Sequence, residues 1–196
     1  MRNEVLGRFA ETGFYFTKIN RNPASLIESF RSKQITCKTW LVEEIANINM
    51  NWNKVLVLGS WNSILLYELM NEHCSVNWFD FVDIDPNVHK DRDIYFQVNN
   101  IESNYSSIVM DAVDFSDHSN YDLIINCSCE HMKDIPAEYG PVYALQSNNY
   151  YQVEEHINCV KDEKSLAKKS NLNNLFFHGS IGFSAYTRFM IIGYFV

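Results

Sequence analysis

The sequence predicts an α/β fold: a doubly wound, mostly parallel sheet that ends in an antiparallel hairpin and is preceded by a short helical cap. Three observations carry this. Val55-Leu56-Val57-Leu58 is a continuous apolar run, too short for a helix of its own, that stops at Gly59 and is followed by the helical pattern Ile64 to Met70. Trp78 to Asp83 is a second apolar segment, and an acid stands at its end. Finally, Asn174 to His178 and Tyr186 to Phe195 both look like strands, but the connection Gly179 to Ser184 cannot hold the crossover helix that a parallel pair requires. Those two strands should pair antiparallel.

The chain has 196 residues, 46% of them hydrophobic, which suits a single domain with a full core: residues 1–50 as the cap and 51–196 as the sheet-bearing part. A formal net charge of −8 opposes docking on a phosphate backbone, so nucleic acid is an unlikely partner. Five cysteines, Cys37, Cys74, Cys127, Cys129 and Cys159, are odd in number and irregularly spaced, and no secretion signal accompanies them. Reduced thiols in a cytoplasmic setting are expected. No stretch approaches the ~20 apolar residues of a membrane span.

Taken in order, Phe9, Phe14, Tyr15 and Phe16 show no clear period and are left unassigned. Ser25 to Phe30 and Thr36 to Ile48 carry apolar residues at helical spacing, with Ile35, Trp40, Leu41, Ile45 and Ile48 on one face and Glu43 and Glu44 toward water. After the second strand, Pro86 opens a helix that closes at Asn99-Asn100. Ser107 to Met110 reads as a third strand, Leu123 to Ile125 as a fourth and Val142 to Gln146 as a fifth. The polar cluster Ser147 to Tyr151 follows directly.

Four segments in this order resemble the class I S-adenosylmethionine-dependent methyltransferases. Val55 to Gly59 is similar to the family's first motif, though its acid is missing, only one glycine remains, and Trp61 and Asn62 stand where small residues are commoner. Val82-Asp83-Ile84-Asp85-Pro86 resembles the second motif and Met110-Asp111-Ala112 the third. Tyr121 to Ile125, followed by Glu130-His131-Met132, resembles the fourth. The resemblance spans residues 54–132 and implies a Rossmann-like fold and S-adenosylmethionine as cofactor. It implies methyl transfer to a small polar molecule or a protein side chain. Two alternatives remain open on the same fold: a non-catalytic S-adenosylmethionine-binding protein, and another transferase using that cofactor. A nicotinamide enzyme fits less well, because its sheet would continue with parallel units.

Asp83 lies 24 residues after Gly59 (83 − 59), near the roughly 20-residue offset at which a carboxylate meets ribose hydroxyls. It is the expected ribose ligand, with Asp85 as the competing choice and Ile84 beside it. Gly59, Ser60 and Trp61 form the expected cofactor turn, and Asp111 and Ala112 match the family position for the adenine amino group. Asp114 and Asp117 leave open that this segment is simply solvated. Asn126, Glu130 and His131, at the end of the fourth strand, are the candidates for aligning and deprotonating an acceptor; a packing role for His131 competes. Lys38, Asn148, Asn149 and Tyr150 are the candidate acceptor-binding residues, while Trp40 either joins them or covers a sheet edge. Arg188 is expected to bind an acidic group or neutralise a neighbour. Cys127, Cys129 and His131 have no second ligand pair at a usual zinc spacing, with only Cys159 or His156 to complete a set, so no metal is expected.

Overall fold

A computed structural model describes residues 3–102 and 104–196. Helix α1 (Asn3–Lys18) covers the stretch whose aromatics show no common period. Val5, Thr12 and Phe16 are buried on it and Phe9 packs against the same core, a spacing of four, three and four residues. Phe14, 75% exposed, and Tyr15 belong to other faces, so grouping the aromatics together hides the helical repeat. Helices α2 (Ala24–Ser29) and α3 (Ser32–Asn47) follow, α3 beginning four residues earlier than its apolar pattern (36 − 32).

Strand β1 (Asn51–Leu58) then runs into helix α4 (Ile64–His73), strand β2 (Ser75–Asp83), helix α5 (Pro86–Val98) and strand β3 (Tyr105–Val109). Pro86 needs no hydrogen-bond partner for its nitrogen at a first helical turn, and Asp85 caps it by accepting from the Asn87 N–H at 2.8 Å. Strands β4 (Leu123–Asn126) and β5 (Val142–Asn148), helix α6 (Glu163–Lys169) and the hairpin β6 (Asn174–Gly182) and β7 (Thr187–Tyr194) complete the chain. β5 extends two residues past its apolar run, and Ser147 and Asn148 are buried strand residues rather than the start of a loop.

The strand order is β3-β2-β1-β4-β5-β7-β6. β1 pairs in parallel with β2 on one side and β4 on the other, β5 continues in parallel, and β7 pairs antiparallel with both β5 and β6, as the short connection requires. Strand order therefore reverses at the boundary between β1 and β4, where open α/β sheets leave a crevice outside the carboxyl ends of their strands.

Consecutive residues of β1 serve opposite layers. Val55 and Val57 join a core with Phe79, Phe81, Leu123 and Ile125 under α1, α3, α4 and α5. Leu56 and Leu58 join the other core with Val82, Ile124, Leu145 and Ile191. Each such buried side chain contributes about 1.5–3 kcal/mol, which explains why Val55 to Leu58 and Leu123 to Ile125 are apolar at every position. The second core is covered by α6 and by irregular segments carrying Ala112, Tyr121, Ala137 and Val160. Neither the β3–β4 nor the β4–β5 connection contains an α-helix. Trp40 packs edge-on against Phe177 of β6 with ring centroids 5.9 Å apart, the sheet-covering role.

Candidate functional site

The turn from Gly59 to Ser63 is built from strained backbone. Gly59, Trp61 and Ser63 have φ values of 56°, 48° and 48°, a region that costs side-chain-bearing residues free energy and persists only where neighbours enforce it. The enforcement is visible. Ser60 N–H donates to the Val82 carbonyl at 2.9 Å, Trp61 N–H donates to Asp83 Oδ2 at 2.7 Å, and Asn62, 1% exposed, donates to the Ser25 carbonyl at 3.0 Å and bonds Ser29. Asn62 Oδ1 also accepts from the Ile64 N–H at 3.2 Å, capping α4 where Ser63 offers no side-chain cap. Asn62 thus occupies a position where a small residue is commoner in order to tie the turn to α2. Gly59 serves a second need: a Cβ there would lie 2.5 Å from the Cε of Met132.

Three adjacent strand ends surround one cleft of about 640 Å³. It is lined by Gly59 and Trp61 after β1, Asp83 and Ile84 at the end of β2, and Asp111, Ala112 and Asp114 after β3. This lies within the roughly 300–1,000 Å³ typical of small-molecule sites. Asp83 Oδ1 accepts from the Asp85 N–H at 3.0 Å, so backbone amides hold its carboxylate in place at the cleft wall. His89 Nε2 lies 3.2 Å from the Asp83 carbonyl, and Arg92 approaches its Nδ1 at 2.7 Å. Because Arg92 can only donate, Nδ1 is the bare nitrogen and Nε2–H anchors the strand end. Asp85 caps α5 and is absent from the cleft lining, which separates its role from that of Asp83. Asp111 Oδ1 accepts from the Val113 N–H at 3.0 Å.

A smaller cavity of about 110 Å³ adjoins the cleft and shares Gln34, Gly59, Trp61, Ser128 and His131 with it. Its remaining polar lining includes Lys38 from α3, Glu130 and Arg188. Glu130 is 3% exposed; its Oε1 accepts from Asn148 Nδ2 at 2.7 Å and from Arg188 Nη1, while Arg188 Nη2 donates to the Cys127 carbonyl at 2.8 Å. Burial opposes the charge on Arg188, and Glu130 overrides it, raising the guanidinium above its usual range. Burial lowers His131 below the ordinary histidine value; Glu130 works against this, and His156 and Arg188 add to it. Burial pushes the Cys129 thiol up, reinforced by Glu130, leaving it a poor nucleophile.

The fold therefore brings Gly59, Trp61, Asp83, Ile84, Asp111 and Ala112 to one cleft, and Lys38, Glu130 and His131 to the adjoining cavity. Ser60 is buried beneath the turn and lines the smaller cavity. Asn126 is turned away from both: its amide faces Met132 Sδ at 3.1 Å and its oxygen accepts from the Ser128 N–H at 2.8 Å. Asn148, Asn149 and Tyr150 line neither cavity. Asn148 supports Glu130, Asn149 Oδ1 accepts from the Thr187 N–H at 2.7 Å, and Tyr150 stacks on Tyr186 at 5.5 Å. Gln34, Lys133 and Ile157 line the cleft as residues the sequence does not point to, and Ser128 and Met132 line it from the run after β4 without being assigned a role there. For Lys133 the signal is its place directly after that run.

The same architecture occurs in solved structures. The magnesium protoporphyrin IX methyltransferase ChlM of Synechocystis, crystallised with S-adenosylhomocysteine, superposes with a TM-score of 0.65 at 12% identity, covering 86% of each chain. The N-methyltransferase NodS of Bradyrhizobium japonicum gives 0.63 at 13% identity over 85% of this chain and 99% of its own. An S-adenosylmethionine-dependent methyltransferase of Clostridium acetobutylicum gives 0.62 at 11% identity over 92% and 99%. No protein-family model and no curated protein sequence matches the chain. The fold is that of the class I methyltransferases.

Proposed function

We propose that this chain is an S-adenosylmethionine-dependent methyltransferase acting on a small polar molecule or a protein side chain. The observation that carries the reading is the convergence of Gly59, Asp83 and Asp111 from three adjacent strand ends on one cleft. The lining chemistry fits this cofactor. Asp83, Asp111 and Asp114 face a single Lys133, a balance that repels polyphosphates and suits a ligand with a cationic sulfonium and hydroxyl donors. Asp83 would accept from the ribose hydroxyls, Asp111 with the Ala112 backbone would receive the adenine edge, and the exposed Ile84 offers an apolar surface to the base. Gly59 and Trp61 would border the methionine portion.

When bound, S-adenosylmethionine supplies an activated methyl group, so the protein has chiefly to align an acceptor. The adjoining cavity is assigned that task. Lys38 and Gln34 would orient the acceptor from the helical cap, and His131, on the boundary between the cavities, would take its proton. Glu130, held by Arg188 and Asn148, positions the wall rather than exchanging protons.

The test is formation of S-adenosylhomocysteine when the protein is incubated with S-adenosylmethionine and cell extract. Product that appears with wild type and is lost in His131→Ala, with cofactor affinity within a few-fold, supports methyl transfer. Tight binding without product across varied extracts would leave a binding protein. A different product would mean another transferase.

A further inference from the structure

The segment after β5 brings His156 against the end of β4, and the resulting cluster has a feature that methyl transfer does not need. We propose that Glu130, His131 and His156 bind one divalent transition-metal ion of the zinc type. The ligand set differs from the Cys127, Cys129 and His131 combination that the sequence spacing argues against. The metal site stands on its own geometry and does not rest on the methyltransferase reading; with the ion bound, His131 is a ligand and does not take the acceptor's proton.

One ligand atom from each residue lies within 4.8 Å of the other two. Around a tetrahedral ion with bonds of about 2.05 Å, ligand atoms stand roughly 3.3 Å apart, so the three need to close by at most about 1.5 Å. The His131 side chain, 44% exposed, has room to turn toward the ion. The rings of His131 and His156 are perpendicular with centroids 4.5 Å apart.

An independent observation points to a ligand. Glu130 is 3% exposed, and its Oε1 accepts from Asn148 and Arg188. Its Oε2 is buried with no hydrogen-bond partner. A desolvated carboxylate oxygen left bare is costly, and a cation removes that cost. Asn148 and Arg188 orient the carboxylate through Oε1, which lies 4.0 Å from His131 Nε2.

The His156 imidazole is prepared to ligate. His156 Nδ1 lies 2.9 Å from the Tyr150 carbonyl, which can only accept, so Nδ1 carries the proton and Nε2 is free to ligate. Two imidazoles and one carboxylate favour zinc and its neighbours over magnesium or calcium, and such a triad leaves a coordination position open. Because His131 lines both cavities, that position stands at the cleft wall, available to an oxygen or nitrogen of a bound molecule.

The experiment strips the full chain with a chelator, removes the chelator, and titrates Zn2+ by calorimetry, with elemental analysis for stoichiometry and the visible absorption of Co2+ as a signature of coordination. One ion per chain is expected, with affinity reduced at least about tenfold in His131→Ala and in His156→Ala. His178→Ala, on the distant strand β6, should bind as wild type does. Circular dichroism of the metal-free variants controls for folding, and Glu130→Asp keeps the charge while moving the ligand oxygen and should also weaken binding. Wild type that holds no stoichiometric ion would overturn the site. So would undiminished affinity in both histidine variants, or an equal loss in His178→Ala.

Discussion

The two halves of the site are built by opposite means. On the side of β1, β2 and β3 the carboxylates of Asp83 and Asp111 are held by backbone amides of their own or adjacent turns, from Trp61, Asp85 and Val113. On the side of β4, β5 and β7 the polar groups are buried and side chains satisfy one another, Arg188 reaching Glu130 and the Cys127 carbonyl from 58 and 61 residues away and Asn148 supporting Glu130. The antiparallel register of β5 and β7, which sets Asn148 opposite Arg188, creates this second network. Bonding to backbone amides leaves carboxylates available at the cleft, whereas pairing between buried side chains uses charge to fix a wall.

Breaking the long-range side should have the largest effect. Arg188→Ala leaves Glu130 buried without its cation, and the expected loss is about 3–5 kcal/mol of stability. Urea unfolding would measure it, and Arg188→Ala combined with Glu130→Gln should recover part of the loss. If the single variant is as stable as wild type, the ion pair is not holding the wall.

On the local side, Asp83→Ala should lower S-adenosylmethionine affinity by about 2–3 kcal/mol, tens-fold or more. Asp83 also holds the Trp61 and Asp85 amides, so Asp83→Asn, which keeps an acceptor oxygen, separates ligand contact from turn geometry. Gly59→Ala should cost about 1–2 kcal/mol of stability through its positive φ. Met132 meets the new methyl only with the end of a flexible side chain, so adding Met132→Ala should restore little. Full rescue would show that the clash, not the backbone, decides.

The smallest effect concerns acidity. Burial lowers the pKa of His89, with Arg92 adding to the shift, and burial likewise lowers His118. A lowered folded pKa means that the unfolded chain binds more protons, so stability present above about pH 6.5 falls as pH drops through the folded values. Thermal unfolding of wild type and His118→Gln at pH 7.5 and 5.5 would check this. The variant should lose less stability than wild type on acidification.

The contrast also explains what could be read from the sequence. The order β1, turn, α4, β2 and the terminal hairpin follow from apolar runs, Gly59 and connection length, all local signals. Asp83 and Asp111 were legible because each ends or follows a strand. The burial of Asn148, its support of Glu130, and the pairing of Glu130 with Arg188 depend on which strands become neighbours, which no local pattern states. Helix α1 was hidden because exposed Phe14 obscured the Val5, Phe9, Thr12, Phe16 face. The irregular segments covering the second core have no period to detect.

The cleft at the ends of β1, β2 and β3 should take S-adenosylmethionine through Asp83. Calorimetric titration of the purified chain with S-adenosylmethionine, S-adenosylhomocysteine and NAD, repeated with Asp83→Ala and Asp85→Ala, measures it. The account predicts saturable binding of the first two ligands, none of NAD, a loss of tens-fold or more in Asp83→Ala and only a minor change in Asp85→Ala. Absence of S-adenosylmethionine binding to wild type, or binding unchanged in Asp83→Ala, would contradict it.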